Sequence, residues 1–200
     1  MLLISWPADA RSPGGHGRWA EEIRKAAARF RIPEAWVRAV MLAESGGAEE
    51  IGGQPVTSRA GAMGLMQLMP DTWAQMRQAY CLGSDPYDPH DNILAGAAYL
   101  RLMYDRFGYP GLFAAYNAGP ARYEAHLLSE RALPSETNLY VGKVVRKVKE
   151  ESGAAVSGGH EGELFVVAQG RQVPGDMDLE RAPQSLFAIR RQAMPIGAGP

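Results

Sequence analysis

The sequence predicts a mainly α-helical domain that carries one small irregular or hairpin region. Three observations support this. Apolar residues recur at helical spacing in successive windows, and prolines or capping residues open those windows while glycines close several of them. Only the stretch from Glu50 to Pro70 breaks the pattern, with glycines at 52, 53, 61 and 64. The chain has 200 residues, 46% hydrophobic and 22% charged, which suits one domain of ordinary size with a proper core and additional tails. We expect an N-terminal arm over residues 1–16, a folded domain over 17–151, and a low-complexity, disordered tail over 152–200, suited at most to docking.

Taken in order, Trp19 to Phe30 places Trp19, Ile23, Ala26, Ala27 and Phe30 on one helical face. Glu21 and Glu22 lie early and Arg29 late, as the helix dipole favours. Pro33 is placed to begin a second helix ending near Ser45, with Gly46-Gly47 as its stop. After the glycine-rich stretch, a helix is expected from Asp71 to Ala79. Asp88-Pro89 reads as an N-cap and first turn opening a long helix to Phe107, with Ile93, Ala97, Leu100 and Tyr104 as its buried stripe and Gly108 as its end. Pro110 starts a short helix carrying Tyr116 and Asn117. Ser135 is expected to cap the last helix, whose apolar surface would be Leu139, Tyr140, Val141, Val144, Val145 and Val148. The cations Lys143, Arg146, Lys147 and Lys149 read as a solvated face near a helix C-terminus, with attachment to an anionic cell-wall polymer as the alternative.

Composition also excludes several function classes. The net charge of -1 offers no basic field for nucleic acid. The four histidines and single cysteine form no spaced ligand cluster, so neither metal nor organic cofactor is expected. Cys81 has no partner for an internal disulfide and reads as a small, half-buried hydrophobe. The apolar start from Met1 to Trp6 lacks a basic residue and breaks at Pro7. It is expected to serve neither as a secretory signal nor as a membrane span. A truncated or misassigned start, a mature fragment and another delivery route all accommodate this.

The chemistry concentrates in four blocks. They are Glu44-Ser45, the run Gly64-Leu65-Met66-Gln67-Leu68-Met69-Pro70, the run Ala115-Tyr116-Asn117-Ala118-Gly119-Pro120, and the run Pro134-Ser135-Glu136-Thr137-Asn138-Leu139-Tyr140. Glycosidic cleavage normally needs a carboxylic acid that holds its proton near neutral pH. Glu44 falls three residues after Met41 and four after Val40, on the stripe that includes Val37, so it faces the protein. Burial and a helix C-terminus both raise a carboxyl pKa. Periodicity alone leaves a surface or C-capping role open for Glu44. Asp71, Asp85, Asp88 and Asp91 could supply a second carboxylate, but each also fits a cap or loop.

In order and spacing, the four blocks resemble the soluble lytic transglycosylase (goose-lysozyme-like) family, from about Trp19 to Val148. The resemblance implies a lysozyme-like helical fold, a peptidoglycan substrate and Glu44 as the single catalytic residue. It implies protonation of the bond between N-acetylmuramic acid and N-acetylglucosamine, help from the muramic N-acetyl group, and attack by the sugar's own 6-hydroxyl to give a 1,6-anhydro product. It further implies substrate-binding roles for Ser45, Met66, Gln67, Tyr116, Asn117, Glu136 and Tyr140. Read without it, Met66 fits core packing equally well and Glu136 fits a first-turn helix position.

The chain departs from the common pattern after Glu44-Ser45, where it reads Gly46-Gly47-Ala48-Glu49-Glu50, and at Pro120-Ala121-Arg122-Tyr123. These departures bear on subsites and not on the acid. The stretch Arg122-Tyr123-Glu124 and the small domain look most like the wall-cutting enzymes of conjugation or type IV secretion systems, and phage versions are similar. Secretion, conjugation or phage assembly proteins are therefore the expected partners besides the glycan strands, with the periplasm or cell wall as the place of action. A hydrolase using water and a non-catalytic peptidoglycan-binding component are the competing readings.

Overall fold

A computed structural model describes residues 15–129 and 132–156. The helices are α1 (Gly15–Arg18), α2 (Ala20–Phe30), α3 (Glu34–Glu44), α4 (Pro70–Tyr80), α5 (Pro89–Phe107), α6 (Gly111–Ala118), α7 (Pro120–Ser129) and α8 (Ser135–Val156). Between α3 and α4 lie the short strands β1 (Glu50–Ile51) and β2 (Gln54–Pro55). They pair antiparallel, with Glu50 opposite Pro55 and Ile51 opposite Gln54. The mainly helical architecture with a small hairpin region is the one expected from the pattern of apolar residues and glycines.

Local chemistry sets most boundaries. α2 ends on Arg31 in the left-handed region, with the Ile32 N–H returning to the Ala27 carbonyl at 3.1 Å and the Ile32 side chain buried. α4 ends the same way on Cys81, whose φ is 55°. Cys81 is exposed, so its expected half-burial is incorrect; the backbone turn at this position directs the side chain to solvent. Pro33 caps α3 from outside the helix and is not its first residue. At α5 the Asp88 carboxylate accepts from the Asp91 N–H at 2.9 Å, and Gly108 ends the helix as expected.

α5 is the centre of the molecule, packing against α2, α3, α4 and α6. It is buried on nearly every side from Asn92 to Leu100, not along one stripe, and Tyr104 is only half-buried. α8 packs against both α3 and α6. Its buried side chains include Tyr140, Val144 and Val148, whereas Leu139 is 69% exposed and does not join the apolar face. Leu139 lies next to Tyr140 in sequence, so the helical turn points it away from that face.

Three further features differ from expectation. Gly15–Arg18 forms a helical turn where a loose arm is predicted. α7 is not anticipated by the residue pattern; none of its residues is fully buried, although Tyr123 packs against the core. α8 continues through Ser152, whose hydroxyl donates to the Val148 carbonyl at 2.9 Å, so the expected boundary falls inside a helix. The predicted tail beyond Val156 and the arm before Gly15 lie outside the described residues.

Candidate active site

Glu44 is the last residue of α3, and the chain turns away immediately after it. Ser45 is fully buried; its hydroxyl donates to the Met41 carbonyl at 3.3 Å and accepts from the Gly47 N–H at 3.1 Å. The Trp19 indole donates to the Gly47 carbonyl at 3.0 Å, tying this turn to the start of α2. Ser45 thus fixes the end of the helix that carries Glu44, and its polar atoms are committed to backbone.

The Glu44 side chain is part-buried, and its Oε1 is enclosed without a hydrogen-bond partner. Burial pushes its carboxyl up from 4.5 to about 7, partly opposed by the Tyr140 hydroxyl and the Lys143 charge, both of which favour the anion. Tyr140, from α8, comes close enough to exert that influence. Neither Glu44 Oε1 nor Tyr140 Oη completes a hydrogen bond, however. Glu136, one turn earlier on the same face of α8, also has an enclosed and unpartnered Oε1. Unpaired buried polar atoms are costly in a folded protein, and their concentration here marks a place prepared for something other than stability.

The turn from Gly64 to Met69 is built from side-chain bonds to backbone. Gln67 takes a left-handed φ of 48° and is buried. Its Nε2 donates to the Gly64 carbonyl at 2.8 Å and the Val56 carbonyl at 3.3 Å. Asn92, from α5, completes the arrangement. Its Oδ1 accepts from the Met66 N–H at 2.7 Å, and its Nδ2 donates to the Pro86 and Met63 carbonyls at 2.8 and 3.1 Å. Sequence reasoning missed Asn92. The available signal is an amide directly preceding the apolar run of a long helix, where burial requires partners. Met66 is fully buried against Gly96. A Cβ on that glycine would meet the Met66 Cβ and Cγ at 2.6 Å, so the Met66 side chain packs the core.

Tyr116, near the end of α6, donates to the Met66 carbonyl at 2.7 Å and lies tilted against the Tyr99 ring at 5.3 Å between centroids. Burial, with the neighbouring Glu44 charge, pushes its hydroxyl well above 10; the Tyr99 hydroxyl is pushed up to about 12 by burial. Both phenols stay neutral and can act only through hydrogen bonds and packing. Asn117 is buried, with its Oδ1 accepting from the Thr137 hydroxyl at 2.9 Å. α8 is thereby fastened to α6 beside Tyr140.

A groove of about 320 Å³ opens along this wall, lined in part by Gln67, Met69, Thr72, Tyr116, Asn117 and Arg122. Glu44, Ser45, Met66, Glu136 and Tyr140 are not among the residues that line this groove. Tyr116 is the link: it stands in the groove wall and is close enough to Glu44 to feel its charge. Among the described residues, one grouping has metal-ligand spacing, with ligand atoms of Asp88, His90 and Asp91 within 4.8 Å of one another. These groups take part in local hydrogen bonding. Asp88 caps α5, and Asp91 accepts from the Gly83 N–H at 2.7 Å and contacts the His90 ring at 3.0 Å. No helix among the described residues is long and apolar enough to cross a membrane.

The transglycosylase SLT domain family model matches residues 21–138. The transglycosylase of Enterobacteria phage PRD1 is 35% identical over 133 residues, which cover 66% of this chain and 43% of the phage protein. The soluble lytic murein transglycosylase of Escherichia coli K12 is 37% identical over 103 residues, covering 48% and 15% of the respective chains. This chain therefore spans less than half the length of either relative. Among solved structures, an inactive glutamate-to-glutamine variant of the lytic transglycosylase Slt from Pseudomonas aeruginosa superposes with a TM-score of 0.59. It is 26% identical, over 70% of this chain and 25% of that one. The 70-kDa soluble lytic transglycosylase bound to bulgecin A gives a TM-score of 0.60 at 27% identity, over 69% and 24%. With the family model matching well over half its length, this chain belongs to the transglycosylase SLT domain family.

Proposed function

We propose that this protein is a peptidoglycan lytic transglycosylase, with Glu44 as its catalytic acid and base. The observation that carries the reading is the raised Glu44 carboxyl, at about 7, enclosed on one oxygen and neighboured by two neutral tyrosines. A group at that value holds a proton for a substantial fraction of the time at neutral pH and accepts one back readily. The inactive glutamate-to-glutamine variant of the Pseudomonas aeruginosa enzyme lends further support.

The reaction proceeds in two steps. Glu44 gives its proton to the glycosidic oxygen between N-acetylmuramic acid and N-acetylglucosamine as the C1–O bond breaks. The N-acetyl carbonyl oxygen of the muramic residue bonds to C1 and holds the positive charge as an oxazolinium. The Glu44 carboxylate then removes the 6-hydroxyl proton while O6 attacks C1 and expels the N-acetyl oxygen. The result is 1,6-anhydro-N-acetylmuramic acid, and Glu44 is protonated again. Water takes no part, and the intramolecular attack avoids a bimolecular encounter. Gln67, Tyr116 and Asn117 form the glycan-binding wall. Ser45 and Met66 act through backbone geometry, while Glu136 and Tyr140 offer unpartnered oxygens to the bound sugar. The place of action is the periplasm or cell wall. Secretion, conjugation or phage assembly proteins are the partners in keeping with a compact wall-cutting domain and with the phage relative.

Mass spectrometry of purified peptidoglycan after digestion tests this. The parent should release anhydromuramic products and Glu44→Gln none. Products carrying an added water would overturn the transglycosylase chemistry and turn attention to Glu136 as the base for a hydrolase.

A further inference from the structure

Arg122 is the single charged residue in the groove wall, whose other members are neutral. The polar groups around it are largely committed. The Gln67 Nε2 serves two backbone carbonyls, the Tyr116 hydroxyl serves Met66, and the Asn117 Oδ1 serves Thr137. Arg122 itself is exposed and makes no ion pair or hydrogen bond among the described residues. Its nearest acid in sequence, Glu124, is engaged with Arg106 at 2.7 Å. Arg122 also stands in the first turn of α7, the end of a helix where a cation gains nothing from the backbone dipole. Neither ion pairing nor helix stability explains a guanidinium here, while its position in the groove does.

We propose that Arg122 reads a carboxylate on the glycan substrate. This deepens the proposed function and rests on it. A guanidinium matches a carboxylate in a planar, two-bond geometry that no neutral group of this groove can reproduce. Peptidoglycan offers that chemistry from two sources. One is the free lactyl carboxylate of a muramic residue without its peptide, and the other is the carboxylates of the stem peptide. Chitin oligosaccharides, built only from N-acetylglucosamine, have the same backbone and no carboxylate. Arg122 would therefore make the groove discriminate between wall strands and neutral β-1,4 glycans.

The test uses the full chain in the Glu44→Gln background, so that ligands bind without being cut. Dissociation constants are measured for peptide-bearing strands, for strands stripped of peptides, and for chitin oligosaccharides of equal length. Arg122→Gln should weaken binding of a carboxylated ligand roughly five- to tenfold at low salt, the scale of one partly exposed charge-assisted contact. It should leave chitin binding and the thermal midpoint unchanged, and Arg122→Lys should recover part of the loss. A loss confined to peptide-bearing strands assigns the stem-peptide carboxylates, and one confined to stripped strands assigns the lactyl group. Unchanged binding of all three ligands, or an equal loss that includes chitin, would overturn the proposal. Failure of the Arg122 parent to bind any of the three would instead remove the underlying glycan-binding reading.

Discussion

Replacing Glu44 with glutamine should stabilise the protein, and only above a defined pH. The carboxyl stands at about 7 in the folded state against an ordinary 4.5. The folded protein thus holds this proton more tightly than the unfolded chain, and its stability falls as pH rises from 4.5 to 7. At about 1.4 kcal/mol per pH unit, the full penalty is about 3 kcal/mol, reached above 7 and absent below 4.5. Glutamine keeps the shape of the protonated acid and cannot ionise. At pH 8 the variant should therefore gain up to ~3 kcal/mol, or roughly 6–12 °C in thermal midpoint for a domain of this size. At pH 4 the two proteins should be equally stable. Urea unfolding of both at pH 4, 6 and 8 measures the difference directly. A gain independent of pH, or a less stable variant at pH 8, would refute the claim that desolvation of Glu44 is maintained at the expense of stability.

Other substitutions probe the contacts around the acid. Asn92→Ala removes three hydrogen bonds and leaves the Met66 N–H unpaired, so urea unfolding should show a loss of about 3 kcal/mol or more; a loss under about 1 kcal/mol would deny Asn92 its organising role. Tyr140→Phe removes a hydroxyl that favours the Glu44 anion, so the alkaline limb of the activity profile should move to higher pH. Tyr116→Phe should cost about 1–2 kcal/mol of stability and leave that limb in place.

Much of the fold is legible in sequence because helix boundaries are decided locally. The Asp88 cap, the Pro89 start and the Gly108 stop each act within a turn of their own position, and the structure keeps them, while Pro33 and Pro110 stand one residue outside the helices they precede. The inward face of Glu44 is legible for the same reason, since it follows from spacing to Val40 and Met41. α7 escapes notice because none of its residues is fully buried, and the outward turn of Leu139 because its apolar side chain looks like any other.

The helical class, the order of the elements and the four blocks that carry the chemistry can all be read from the chain alone, because propensity, capping and motif spacing are properties of neighbouring residues. What those residues face is set by packing. The Glu44 carboxyl reaches about 7 because it is buried in the fold, while Tyr140 and Lys143, brought by the packing of α8 on α3, pull it back toward the anion, and Tyr116 arrives on α6. Ser45 and Met66 are taken up by backbone bonding and core packing, and Asn92 gains its importance from a turn 26 residues away. Desolvation depends on what surrounds an atom in space, and those surroundings are assembled from segments distant in the chain.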